Sequence, residues 1–291
     1  MKKSLLFLVF LTIFYPAYSG SKSDSIFSQL DYAIKNKQEY VKQKEKKIAA
    51  LKRNLLGDLS TQQEYDCNKK LYQEYRKFKL DSAIYYVKRN LQIGGILHDE
   101  NLSGEARLQL ANLYSSSGKY RESELLLQKI NKKKLSPVLF PLYYEAYSQF
   151  FEHYSTNTYS DVYIQNIEIY RDSLLGVLDP ATVKYKINQA QQDIYTQKVN
   201  KAQQSLLELL KTAKNKNADY AMIAYLLGDT YKLQDDFELE KQYYSISAIS
   251  DIENAIKDNA SMQNLALIYY ESGAIDNAYK CTQSAIEDAI F

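Results

Sequence analysis

The feature that most constrains this chain is the placement of its small residues. Between Asn264 and Ile286 it reads NLALIYYESGAIDNAYKCTQSAI, with Ala266, Gly273, Ala278 and Ala285 set among Leu265, Tyr269 and Ile275. Where two helices cross closely the contact must hold small side chains, and larger ones fill the grooves on either side. Residues at i, i+3, i+4 and i+7 share one helical face. Leu265, Ala266 and Tyr269 therefore form one face of a first helix, Gly273 makes a turn, and Ala278, Thr282 and Ala285 line a second helix. Glycine (9) and proline (4) are scarce in the 291 residues, and no tidy alternation of apolar and polar residues occurs. Long helices follow, not sheets.

The same phase recurs. QLANLYSSSGKY sets Leu110, Ala111, Tyr114, Gly118 and Tyr120 in register, and LLGDTYKLQDDF does so with Leu227, Gly228, Tyr231 and Phe237, although Asp235 stands where glycine is usual. Weaker copies centre on Leu71, Ala146 and Ala190, with Ala83 and Ala202 opening second helices. The pattern resembles a tetratricopeptide repeat, despite Thr282 in place of an aromatic residue and intervals of 35 to 44 residues against the usual ~34. The resemblance implies an all-α, right-handed solenoid of six tetratricopeptide-like helix pairs over residues 60–291, each burying a face on the next. Longer connections are expected at Thr156 to Asp161 and Leu178 to Thr182.

A different segment precedes the array. Met1-Lys2-Lys3, the apolar run Leu5 to Tyr15 and the small residues Ala17 and Ser19 make an export leader over residues 1–19, cut after Ser19. The run is short for a membrane anchor. Residues 24–57 form an N-terminal helix, with Asp24 or Ser25 as its cap, Ile26, Leu30, Ala33, Ile34, Tyr40, Val41, Ile48, Leu51 and Leu55 as its apolar members, and Gly57 as its end. The basic stretch KQKEKKIAALKR reads as the solvated face of a helix packed on the first repeat; Ser60 or Thr61 starts the next helix. Cys67 and Cys281 are expected as separate small thiols, since an elongated fold holds them apart.

Net charge is +2, from 37 basic and 35 acidic residues, so no global electrostatic case exists for nucleic acid. His98 and His153 are the two histidines, with no metal-ligand spacing, phosphate-binding glycine loop or nucleophile elbow. Cofactors, metal sites and catalytic residues are therefore expected to be none, and an enzyme is not the reading. Tyrosine is abundant, 28 residues against no tryptophan. The tetratricopeptide resemblance assigns groove-facing places on the first helix of each pair: Tyr65, Asn68, Tyr72 and Tyr75; Phe140, Tyr143, Tyr147 and Phe150; and Tyr225, Asp229 and Lys232. Tyrosine suits peptide or sugar binding, but aromatic stripes at helical spacing also pack neighbouring helices, and the sequence leaves both roles open.

KLDSAIYYVKRNL, YYEAYSQFFEHY, YRDSLLGVLDP and SAISDIENAIKDNASMQNLALIYYESGAIDNAYK are similar to a domain of unknown function, the extracytoplasmic half of a family of bacterial membrane-bound transcription regulators. The resemblance implies a periplasmic sensor that meets a peptide, glycan or protein cue and signals through a membrane helix to a DNA-binding part beyond this chain. The apolar end SAIEDAIF is expected to mark a truncated array, with that membrane span following it. A stand-alone periplasmic scaffold is the alternative, and a surface glycan-binding protein a third reading.

Overall fold

The computed structural model describes residues 22–158, 161–213 and 215–289. The expected leader at 1–19 lies outside these residues, as do Tyr159 and Ser160 of one expected connection and the last two residues, Ile290 and Phe291. No strand occurs among the described residues. Two helices come first, α1 (Lys22–Lys35) and α2 (Lys37–Arg53). Six hairpins follow: α3 (Thr61–Tyr75) with α4 (Leu80–Ile96), α5 (Glu100–Ser116) with α6 (Tyr120–Gln128), α7 (Phe140–Thr158) with α8 (Asp161–Leu175), α9 (Val183–Tyr195) with α10 (Val199–Thr212), α11 (Ala218–Lys232) with α12 (Phe237–Glu253), and α13 (Ala260–Glu271) with α14 (Ile275–Ala289). The connection expected from Thr156 is shorter than the sequence suggested, because α7 continues to Thr158; the one at 178–182 is present. An unexpected connection between α6 and α7 holds two single-turn 3-10 helices, Lys132–Lys134 and Pro137–Leu139.

The repeated phase residues all lie on the first helix of a hairpin. Leu71, Ala111, Ala146 and Ala190 are at most 1% exposed. In the fifth hairpin this position must be small: a Cβ on Gly228 would lie 2.5 Å from ring atoms of Tyr244 on the paired helix. At the crossing of α4 and α5, a Cβ on Gly94 would lie 2.7 Å from the backbone nitrogen of Ser103.

Six turns share one closing device. His98, Gly118, Gln197, Asp235, Ala255 and Gly273 have φ between 47° and 76°. In each, the next residue donates its backbone N–H to the carbonyl five positions back, as Lys119 does to Tyr114 and Asp236 to Tyr231. This left-handed cap satisfies helix-end carbonyls and normally selects glycine. Asp235 thus takes the glycine conformation that the sequence pattern required. At Ser60 the expected helix start is a capping box, with Ser60 Oγ accepting from the Gln63 backbone and Gln63 Oε1 from the Ser60 backbone.

The single N-terminal helix expected from Ser25 is two, separated at Asn36, and it begins at Lys22, so Asp24 and Ser25 lie inside α1. Its two parts have different partners. Ile48 of α2, with Val41 and Leu51, packs on Leu71, Tyr72 and Tyr75 of the first hairpin, as expected. Leu30 and Ala33 of α1 instead join Tyr244, Ala248, Leu265, Cys281 and Ala285 of the last two hairpins. Lys37 at the joint donates to the Ser284 carbonyl at 3.1 Å and pairs with Asp288 at 2.7 Å.

The array coils back until its ends touch. The backbone N–H of Lys257, between α12 and α13, donates to the carbonyl of Lys77, between α3 and α4, at 2.7 Å, and Lys77 Nζ lies 2.6 Å from Asp258. Consequently α12 is enclosed: Glu240, Tyr244, Ser245 and Ser247 through Ile252 are all buried. Its run of serines and alanine lets neighbouring helices approach closely. Cys281 is buried, Cys67 is half-buried, and both are free thiols.

Candidate functional site

The first group of expected groove residues is closed to solvent. Tyr65, Asn68, Tyr72 and Tyr75 are at most 5% exposed. Tyr65 donates its hydroxyl to the Leu102 carbonyl and to Glu105, and burial raises its pKa. Tyr72 and Tyr75 lie under α2, and the Tyr75 ring stacks on Tyr86 at 5.7 Å. The groove spacing assumes an uncovered inner face, but α2 covers Tyr72 and Tyr75 here, and Tyr65 is turned onto α5. These four side chains hold helices together and offer no surface to a ligand.

The second group divides. Phe140 and Tyr143 surround the ammonium of Lys132, 5.0 Å and 5.9 Å from the ring centres, and Lys132 also bonds the Tyr144 hydroxyl. Tyr147 and Phe150 line an open pocket of about 660 Å³ between α6, α7 and α8. Its wall continues through Phe151, Tyr154 and Tyr163, with the Tyr154 and Tyr163 rings 4.9 Å apart. Tyr147 donates to the Leu127 carbonyl at 3.1 Å and stacks on Tyr170 at 4.7 Å, which fixes its ring. Arg121, Glu122, Glu124 and Gln128 from α6 supply a polar rim, with Arg121 paired to Glu124 at 3.1 Å.

Of the third group, Asp229 is occupied. Tyr244 donates its hydroxyl to Asp229 Oδ1 at 2.7 Å, while burial pushes the carboxyl up to about 6 against that bond. Lys232 is exposed and donates to Asn264 Oδ1 at 3.2 Å. Tyr225 is half-buried, with burial pushing its phenol up to about 12. It lines a second cavity, of about 540 Å³, where the ends of the array meet. The walls come from α7, α11, α12, α13 and the turn holding Lys77.

Charges in this chamber are mostly paired. Burial works against ionisation of Asp258, but Lys77 and the Ala260 N–H overcome it and hold its carboxyl below the usual range. Glu152 accepts from Arg171 at 3.1 Å. His153 meets Ser115 Oγ at 3.0 Å through Nδ1, and burial lowers its pKa. Asp251 differs: it is 8% exposed, and among the described residues no hydrogen bond or ion pair is made by its carboxylate. Burial first, and the nearby Asp258 second, push it up to about 7.

The sequence reading missed Phe151, Tyr154 and Tyr163 of the aromatic pocket, and Asp251. For the pocket a signal was present: Tyr147, Phe150, Phe151 and Tyr154 fall at i, i+3, i+4 and i+7, one helical face. For Asp251 the signal was an acid inside the apolar, small-residue run SAISDIE. Among the described residues no three His, Cys, Asp or Glu side chains are grouped to hold a metal ion, and no helix is long and apolar enough to cross a membrane.

The family pattern described as the SusR N-terminal TPR domain matches residues 34–291. No curated protein matches the chain. One similar solved structure is the crystal structure of BtubC (BKLC) from P. vanneervenii, 20% identical, covering 73% of this chain and 91% of that one with a TM-score of 0.40.

Proposed function

Because the chain belongs to the SusR N-terminal TPR domain family, we propose that it is the periplasmic sensor portion of a membrane-anchored transcription regulator, binding its cue without catalysis. The cue is a small glycan or peptide with a flat apolar face, and it seats in the pocket walled by Tyr147, Phe150 and Phe151. That pocket is the observation that supports the reading. Its rings offer apolar faces on which a sugar ring or a side chain can stack, and the rim of Arg121, Glu122 and Gln128 offers donors and acceptors for hydroxyl or amide groups. The leader at the N-terminus and the family resemblance support export; the anchor in this reading is a span beyond residue 291.

The pocket bridges the second and third hairpins, so a bound cue favours one angle between them. Such a bias becomes a signal only if the cue binds one arrangement more tightly than another. A titration of the full chain with neutral oligosaccharides and short peptides, followed by calorimetry, tests the proposal. One of the two classes is expected to bind, and Phe151→Ala and Tyr163→Ala are each expected to weaken it about tenfold. Binding unchanged in both variants, or no binding by either class, overturns it.

A further inference from the structure

The chamber where the first and sixth hairpins meet shares no lining residue with the aromatic pocket, and its chemistry differs. Asp251 is the decisive group. It is more than nine-tenths buried, it lines a cavity of about 540 Å³, and it has no polar partner among the described residues. The other ionisable groups of the wall are matched: Lys77 with Asp258 at 2.6 Å, Glu152 with Arg171 at 2.9 Å, and His153 with Ser115 at 3.0 Å. The opposing charge near Asp251 in this wall, Lys77, is already paired with Asp258, so one carboxylate faces the cavity without a partner of its own. A buried carboxylate is retained at a cost unless something pairs with it.

The rest of the wall narrows what that something is. Metal binding needs several converging ligands, and no such group exists among the described residues. Tyr225 presents an aromatic ring, and Ala221, Met222 and Ile256 present apolar surface. A carboxylate beside an aromatic face, on apolar walls, matches an organic ammonium on a compact body. The volume falls in the range of small-molecule sites, roughly 300–1,000 Å³.

We infer that this chamber is a second binding site, taking a small molecule with a primary ammonium group that pairs with Asp251 and packs against Tyr225. Two sources carry that chemistry, an amino sugar and a lysine-containing peptide. Lys77, Met222, Asp251 and Ser261 come from different parts of the array, so a ligand here touches both of its ends at once.

The test uses the full chain and two matched pairs of probes, 6-amino-6-deoxy-D-glucose against D-glucose and Nα-acetyl-lysine amide against Nα-acetyl-norleucine amide, measured by calorimetry just above the pH at which Asp251 titrates, where both amines remain protonated. In at least one pair the ammonium probe is expected to bind about tenfold or more tightly than its neutral twin, the range of a hydrogen bond to a charged group. The pair that responds identifies the source. Asp251→Asn, checked for folding by its melting curve, is expected to abolish the difference. Ala218→Phe, which obstructs the chamber from an exposed rim position, is expected to reduce binding of the ammonium probe by about the same factor without touching the carboxylate. If neither pair separates, or if the difference survives both substitutions, the inference is wrong.

Discussion

Lys257 donates its backbone N–H to the carbonyl of Lys77 across 2.7 Å, joining the turn after α12 to the turn after α3. Beside it the Lys77 ammonium meets Asp258 at 2.6 Å, with both side chains partly exposed. The main-chain bond does not depend on either side chain and is lost only with proline at position 257, whereas an exposed ion pair contributes only about 0–1 kcal/mol. Closure of the array therefore rests on apolar burial by α1 and α2 more than on the pair itself.

Leu30→Ala tests that dependence. Leu30 is 3% exposed among residues of the last two hairpins, and a buried Leu→Ala change costs about 2–5 kcal/mol. Hydrogen exchange is expected to accelerate in α13 and α14, more than 200 positions away in sequence, while α5 and α6 stay protected. Uniform loss of protection along the array would contradict the placement of α1.

Gly228→Ala is expected to destabilise the fifth hairpin. The added methyl enters space held by the Tyr244 ring, 2.5 Å away, and the ring is tied by its hydroxyl to Asp229. Overpacking of this kind costs about 1–3 kcal/mol, seen as a lower denaturation midpoint at unchanged slope. A midpoint equal to that of the parent chain refutes the tight crossing.

Gln197→Gly is expected to stabilise. Gln197 is exposed, carries φ of 61°, and precedes the N–H that closes the α9 cap. A side chain in left-handed backbone costs roughly 1 kcal/mol, which glycine removes, minus a smaller entropic loss. Thermal melting is the measurement, with a rise of about 1–3 °C expected.

Asp251 and Asp229 make stability depend on pH in an identifiable direction. Burial raises both folded pKa values, to about 7 and about 6, above the ordinary 3.8. The folded chain thus keeps protons that the unfolded chain has released, and the stability these groups contribute is complete below the unfolded value and lost as pH climbs through the folded ones. Asp251→Asn is expected to match the parent near pH ~4 and to exceed it near pH ~8, by on the order of 2 kcal/mol in denaturant titrations. Parallel curves across that window would place the carboxylate in contact with water or a partner charge.

Much of the fold is written locally. Small residues at Ala111, Ala146, Ala190 and Gly228 announce helix crossings because close approach demands them, and Gly118 and Gly273 announce turns because left-handed backbone favours glycine. Where tertiary packing imposes the same turn on His98, Gln197 or Ala255, the sequence is silent. The apolar stripe of α1 and α2 says that a face is buried but not against what. That missing partner also misdirects the site: Tyr72 and Tyr75 stand at groove spacing, yet Ile48 and its neighbours cover them. Tyr147 and Phe150, named from the same spacing, do line an open pocket, although Phe150 is largely buried and Tyr147 stacks on Tyr170 of α8, and the charge state of Asp251 depends on five elements that come together only in three dimensions.

Lys37 finds Ser284 across 247 positions of chain. In an ordinary repeat array each unit leans only on its neighbours, and assembly can begin anywhere. Here the first of the described helices has no seat until the fifth hairpin has been made and no complete one until the sixth, so Leu30 and Ala33 must wait, apolar and uncovered, through most of translation. Such distant closure is slow, and it makes the nascent N-terminus of this chain a natural client for a chaperone.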